Sequence, residues 1–320
     1  MMRFRWYGRL SLCALALASG MAHAWPSQPV TLIVPFAAGG MTDILARKLA
    51  QTMQTDLQQP VLVENRPGAG GVIGSERVAR AAADGNTLLV MTTAHVVNPA
   101  IIKNLRYDAK NDFAPVAMLA HTPNVLVVHP SVPAKTLPEL LEFARQKGGV
   151  TYGSAGAGGT THLSGELLAA MTGAPFTHVP YKGTALAVND LLGGQIDAAF
   201  VDALSATQYI ESGRLRAIAV STPERVPALP DVPTIAEQGV PGYDTRIWIG
   251  FYAPAGTPAP IVERLNALAR KAMHEPQFQQ TLSSQGTQPG DMDVPAFTQF
   301  VDEEFVKWAR IVQEAGIEPQ

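Results

Sequence analysis

The chain has 320 residues, with 24 lysines and arginines against 27 aspartates and glutamates, a formal net charge of −3 and 47% apolar residues. A balance this mildly acidic argues against a nucleic-acid or anionic-membrane partner. The single cysteine, Cys13, leaves no disulfide framework and no thiolate metal site, and no metal or cofactor is expected.

The first stretch reads as a targeting segment. Arg3, Arg5 and Arg9 form a basic region, "LSLCALALASGMA" an apolar one, and Ala22-His23-Ala24 fits the small-x-small cleavage rule. Residues 1–24 are therefore expected to be a signal peptide, with export to the periplasm and a mature start at Trp25. The apolar run is shorter than the roughly 18–20 residues that span a bilayer, so a membrane anchor is the poorer reading. Leu12 precedes Cys13 where lipid attachment would want a small residue. Without the three arginines, 21 basic residues face 27 acidic ones, a net charge of −6. The remaining 296 residues exceed what one core usually holds, so two domains are expected.

Short β-branched runs then alternate with helical patterns. "VTLIVPF" precedes "TDILARKLAQTMQTDL", "PVLVENR" precedes "SERVARAA", and "TLLVMTT" follows. "NVLVVHP" precedes "LPELLEFARQKG", "VTYGSAG" precedes "HLSGELLAAMTG", and "THVPYKG" precedes "ALAVNDLLGG". "IDAAFVD" precedes "LSATQYIESG", and "LRAIAVST" and "WIGFYAP" lead into "TPAPIVERLNALARKAM" and "FTQFVDEEFVKWARIV". Such alternation implies βαβ units and mostly parallel sheets covered on both faces. A chain that builds one α/β lobe, crosses to another and returns would set its glycine loops face to face across a cleft. The crossings are expected near Leu119–Asn124 and Val220–Pro227.

Two strand-to-helix turns carry the chemistry. In "PFAAGGMTD", Gly39 and Gly40 let the backbone approach a ligand closely, and Thr42 adds a hydroxyl. The first N–H groups of a helix have no partner within it, and the aligned peptide dipoles make that end attractive to an anion. Asp43 competes, because its carboxylate can cap the helix itself. "YGSAGAGGTTHLSGE" offers Gly153, Gly156, Gly158 and Gly159 with Ser154, Thr160 and Thr161 as hydroxyl donors. The dinucleotide and P-loop patterns both fail here, the first at Thr161 and the second for want of lysine. What remains is a donor-rich nest suited to a small oxyanion such as a carboxylate. "RPGAGGVIGSE" reads as packing.

Catalytic patterns are weak. His162 two residues before Ser164 breaks the nucleophile elbow, nothing in the sequence orients His162, and a hydrogen-bonding or packing role is expected of it. His95, His121, His129, His178 and His274 lack metal spacing. Glu303 and Glu304 are expected on a solvated helix face, and Arg246 on the surface. The rival to a binding protein is a hydrolase or transferase using Ser154 or Thr160 with His162 and Asp202; a sensor presenting its ligand to a signalling partner is a third reading.

On these residues the chain resembles the tripartite tricarboxylate transporter substrate-binding receptors, the Bug or TctC-like family. The resemblance runs from "WPSQPVTLIVPFAAGG" to "IVQEAGI", through "VLVENRPGAGGVIG", "TYGSAGAGGTTHLSGELL", "HVPYKGTALAVNDLLGGQID" and "WIGFYAPAGTP". It implies an α/β periplasmic binding protein of type II: two lobes joined by crossing strands with a ligand cleft between them. Lobe 1 would comprise residues 25–121 and 223–320, and lobe 2 residues 122–222. The implied function is capture of a small carboxylate (an organic, aromatic or amino acid) and delivery to a membrane permease, without catalysis and as a monomer. One wall then falls on Phe36, Ala38, Gly39, Gly40, Thr42 and Asp43, with Thr92 and Thr93 beside them. The other falls on Ser154, Gly158, Thr160, Thr161 and His162. Family members often have a polar residue where Ala157 stands and a small polar one where Ile247 stands. Many also have an aspartate at the position of Val201, with Asp202 one place later here. Val201 and Asp202 are both expected in the ligand-binding set; alternation along a strand lets one of the two face the cleft, and an apolar Val201 there would favour a less polar ligand.

Overall fold

A computed structural model of the chain describes residues 25–181, 183–284 and 286–319. The expected signal peptide and Cys13 lie outside these residues. In chain order the elements are β1 (Val30–Val34), α1 (Met41–Leu57), β2 (Val61–Asn65), α2 (Val72–Ala79), β3 (Thr87–Thr92), α3 (Ala94–Ile101) and β4 (Phe113–Val128). Next come α4 (Leu137–Lys147), β5 (Val150–Ser154), α5 (Thr160–Thr172), β6 (Phe176–Pro180), α6 (Thr184–Leu192), β7 (Ala198–Asp202), α7 (Ala203–Glu211) and β8 (Arg216–Val220). The last are β9 (Arg246–Pro254), α8 (Ala259–Met273), α9 (Pro276–Ser284), β10 (Gln288–Pro289) and α10 (Val294–Glu314).

Two sheets share one strand. The first runs β2-β1-β3-β9-β4, with β10 on β4, and the second runs β8-β4-β7-β5-β6. Only the outer strands are parallel: β1 with β2 and β3, and β5 with β6 and β7. Every strand beside β4 is antiparallel to it, so the expectation of mostly parallel sheets is corrected to mixed ones. The cause is β4 itself, a 16-residue strand roughly 50 Å long that carries the chain from one sheet into the other.

Apolar runs such as Leu32, Ile33 and Val34 are fully buried because helices cover both faces. On the first sheet, Leu45, Leu49 and Met53 of α1 meet Leu265 and Met273 of α8. The opposite face packs Val78, Val96, Phe297 and Trp308 in a core that continues through Leu126 of β4, Leu140 of α4 and Leu163 of α5. Val188, Leu191 and Ala206 of α6 and α7 cover the remaining face.

β4 changes partner between Pro123, opposite Arg246 of β9, and Asn124, opposite Asp202 of β7. The second crossing is a stitch, not a strand. Ser221 N–H donates to Asn124 O at 2.9 Å, and Thr245 N–H donates to Ser221 O at 3.0 Å, so β8 ends where β9 begins. Residues 223–244, assigned from the sequence to lobe 1, include a stretch bonded to the second sheet: Val220 N–H donates to Pro233 O at 2.9 Å and Ile235 N–H to Val220 O at 3.0 Å. Gln238 Nε2 donates to Ile218 O at 2.8 Å, and its Oε1 accepts Leu137 N–H at 2.7 Å. α3, α9 and the first half of β4 were not anticipated: Pro99 lies inside α3, and α9 buries only Leu282.

Candidate functional site

The two glycine turns are built to one plan, "AGGMTD" at 38–43 and "AGGTTH" at 157–162. In each, the first glycine takes a positive φ, 89° at Gly39 and 74° at Gly158. The second, Gly40 or Gly159, is extended and opens the helix with no side-chain cap. Positive φ is open to glycine at little cost, and the first N–H groups of α1 and α5 are left for an outside acceptor. In each, too, the first glycine's N–H is held by the side chain four residues later: Gly39 by Asp43 Oδ2 at 2.9 Å, Gly158 by His162 Nδ1 at 3.0 Å.

Asp43 therefore secures the loop from behind instead of capping the helix. Its buried carboxylate also accepts Arg47 Nε at 2.9 Å and Asn65 Nδ2 at 3.0 Å, and Asn65 Nδ2 reaches Phe36 O at 3.1 Å. The Arg47 hydrogen bond is the main reason its pKa is lowered to about 2, with Gly39 and Asn65 assisting against the opposing effect of burial. Thr92 Oγ1 accepts Ala94 N–H at 3.3 Å, and Thr93 Oγ1 accepts Trp248 N–H at 2.9 Å. Those two hydroxyls thus serve lobe 1's own backbone.

On the second sheet, Thr161 Oγ1 accepts Ala155 N–H at 3.0 Å, and Ser154 Oγ accepts Gly156 N–H at 3.1 Å. Ser154 Oγ also lies 2.7 Å from His178 Nε2. The His178 ring stacks on that of His162 with centroids 3.8 Å apart, and His162 Nε2 faces Glu166 Oε1 at 3.5 Å. Tyr152 Oη donates to Glu166 Oε1 at 2.6 Å. Burial, then the His162 charge, lower the His178 pKa to about 4. The expectation that nothing orients His162 is corrected: a strand pairing brings in a histidine remote in sequence. A third turn stands beside these. Gly183 N–H donates to Ala155 O at 3.0 Å, and α6 starts at Thr184 without a side-chain cap. "KGT" was the available signal for it, a glycine and a hydroxyl opening a helix.

Other expectations are revised. Val201 is fully buried in the core with Val125 and Ala206, so it does not line the cleft. Asp202 caps α7, accepting Ser205 N–H and Oγ at 2.9 Å each. Ser154 is fully buried and pairs with His178, and Asp202 is taken up by its cap; the Ser-His-Asp set of the hydrolase reading is not assembled. Arg246 is not a surface residue: its side chain is 17% exposed and binds Asp244 at 2.6 Å. Glu304 is buried and accepts both indole N–H groups of Trp248 and Trp308 at 2.8 Å, against its expected solvated face. "RPGAGGVIGSE" does pack: a Cβ on Gly74 would lie 2.8 Å from the Pro35 ring. The lobes meet where a Cβ on Gly158 would lie 2.7 Å from Ile101 Cδ1. A surface cavity of about 590 Å³, lined by Ile102, Leu105, Arg106 and Phe305, lies outside the glycine turns. Among the described residues, no helix is long and apolar enough to cross a membrane.

Two α/β units on a shared strand, with uncapped helix starts at their glycine turns, define a two-lobed solute-binding protein. The model of the tripartite tricarboxylate transporter family receptor, TctC, matches residues 45–317, and the chain belongs to that family. BugT of Bordetella pertussis is 37% identical over 298 residues, 92% of this chain and 91% of its own. Among solved structures, Rpa4515 of R. palustris with adipate is 36% identical with a TM-score of 0.77, over 92% of this chain and 100% of its own. MatC of Rhodopseudomonas palustris with bound malate is 35% identical with a TM-score of 0.72, over 90% and 99%. A TctC solute-binding protein from Polaromonas with no ligand is 31% identical with a TM-score of 0.82, over 90% and 99%.

Proposed function

We propose that the chain is an extracytoplasmic receptor that captures a small carboxylate and delivers it to a membrane permease of the tripartite type. The observation that carries this is the matched pair of Gly-Gly helix starts, each uncapped and each held from behind. Phe36, Ala38, Gly39, Gly40 and Thr42 form one jaw, and Gly158, Thr160 and Thr161 the other, with Asp43 behind the first and Ser154 and His162 behind the second as supports. Each hydrogen bond from such a loop to a carboxylate contributes about 1.5–3 kcal/mol. Relatives solved with adipate and malate support the ligand class. Residues 1–24 direct export and are removed.

The test is thermal unfolding of residues 25–320, first unfolded and refolded to strip carried-over ligand, against mono-, di- and tricarboxylates and their neutral amides. An acid at one hundred times its dissociation constant stabilises by about 2.7 kcal/mol, a shift of several degrees. A shift with an acid and not its amide is the expected result; none with any acid rejects the proposal. Growth of a deletion strain on that acid separates uptake from sensing.

A further inference from the structure

The two turns hold their first glycine by the same backbone bond but with acceptors of different chemistry. On the first sheet the acceptor is the Asp43 carboxylate, which stays ionised through neutral and mildly acidic pH. On the second it is an imidazole nitrogen, which accepts only while it carries no proton. Because His162 Nδ1 receives Gly158 N–H, the proton of the neutral ring sits on Nε2, facing Glu166.

The ring has little freedom to find another arrangement. His162 is 7% exposed and stacked on His178, with an interplanar angle of 24°. His178 in turn meets Ser154, whose hydroxyl receives Gly156 N–H. The N–H groups of Gly156 and Gly158 are thus both tied into this imidazole pair. The ionisable groups against it are Glu166 of α5 and Tyr152 of β5, with Tyr243 before β9 one step further out beside Tyr152. Burial holds both phenols neutral, so Glu166 is the one carboxylate that these contacts bring to the pair.

We propose that His162 is a positioning residue that shapes the second jaw only as a neutral imidazole, so that this jaw loosens on acidification while the Asp43 jaw does not. The inference rests on the receptor reading above. A proton on Nδ1 sets two donors face to face at Gly158, and the loop or the ring must give way. An imidazolium would also attract the anionic ligand, which acts in the opposite direction. Glu166 on the same helix already answers that charge, whereas nothing replaces the lost acceptor, so the loss prevails.

The test has a ligand-free and a ligand-bound arm. In amide NMR of residues 25–320 without ligand, followed from about pH 8 downward until the His162 ring signals report protonation, the Gly158 N–H signal should move together with them. In His162→Asn, whose Oδ1 accepts without titrating, Gly158 should stay fixed. In the unsubstituted protein, with L-malate and adipate as probes, affinity should fall about fivefold or more between the pH at which the ring signals show His162 neutral and the pH at which they show it protonated. The ratio of affinities should be near one in the variant, whatever its absolute affinity. A Gly158 signal that ignores His162, or an affinity that is constant or rises on acidification, overturns the proposal. If neither acid binds at pH 8 while Gly158 still follows His162, the choice of ligand fails and the positioning role stands.

Discussion

Asp43 and His162 occupy equivalent places in two equivalent turns, and what separates them is the acceptor, a carboxylate oxygen in one and an imidazole nitrogen in the other. Asp43→Ala should cost about 1–3 kcal/mol, because it strands Gly39 N–H and Asn65 Nδ2 behind the loop. The carboxylate's pKa is lowered from 3.8 to about 2, so its contribution is complete above pH 3.8 and is lost as the pH falls through about 2. Urea unfolding at neutral pH and near pH 2 checks both statements: the difference between parent and variant should shrink in acid. Glu304 is a second residue-scale case. Glu304→Gln should cost about 2 kcal/mol by weakening two charge-assisted indole bonds, with a change in tryptophan fluorescence. Neither role was legible in the sequence. Amphipathic spacing places Glu304 on a helix but does not say that two indoles approach it, and His178 reaches Ser154 from 24 positions away through strand pairing.

The elements themselves were largely written in the chain. Apolar runs ending in Gly-Gly-hydroxyl patterns identified β1–α1 and β5–α5, because few other patterns permit so tight a strand-to-helix turn. The misses have physical causes. α3 contains a proline in its last turn, and α9 buries too little to show a period. The first half of β4 carries Pro115 and Pro123, which read as breaks, although both are accommodated opposite β9. α5 seats on β5 through Gly165, where a Cβ would lie 2.2 Å from the Tyr152 ring. Gly165→Ala should therefore cost about 1–3 kcal/mol or more by displacing that ring and with it the Tyr152–Glu166 bond. A lower urea midpoint with weaker carboxylate affinity is the expected pair of readings.

At the scale of the whole molecule, three histidines are kept uncharged by their surroundings. Burial is the largest cause in each, lowering the pKa of His95 to about 3 and those of His121 and His178 to about 4. Their unfolded value is 6.5, so the unfolded chain takes up protons that the folded one refuses. Stability from this source is complete above pH 6.5 and declines as the pH falls toward 4. Differential scanning calorimetry should show Tm dropping by several degrees over that interval. His95→Phe, which keeps an aromatic ring against Tyr252 and Phe113, should flatten the slope. The two-lobed plan was legible from the resemblance, but the boundary was not. Residues 223–244 have ordinary loop composition, and what attaches them to the second sheet is hydrogen bonding to Val220, Ile218 and Leu137, which leaves no mark in the sequence.

The shared strand β4 has bonded neighbours along both edges, β9 and β10 in one sheet and β7 and β8 in the other. Such a ribbon resists sliding and bending in its own plane but yields to torsion. On the proposed receptor reading, closing the jaws would wind this strand like a spring instead of swinging it on a pin, and the wound strand would push toward reopening.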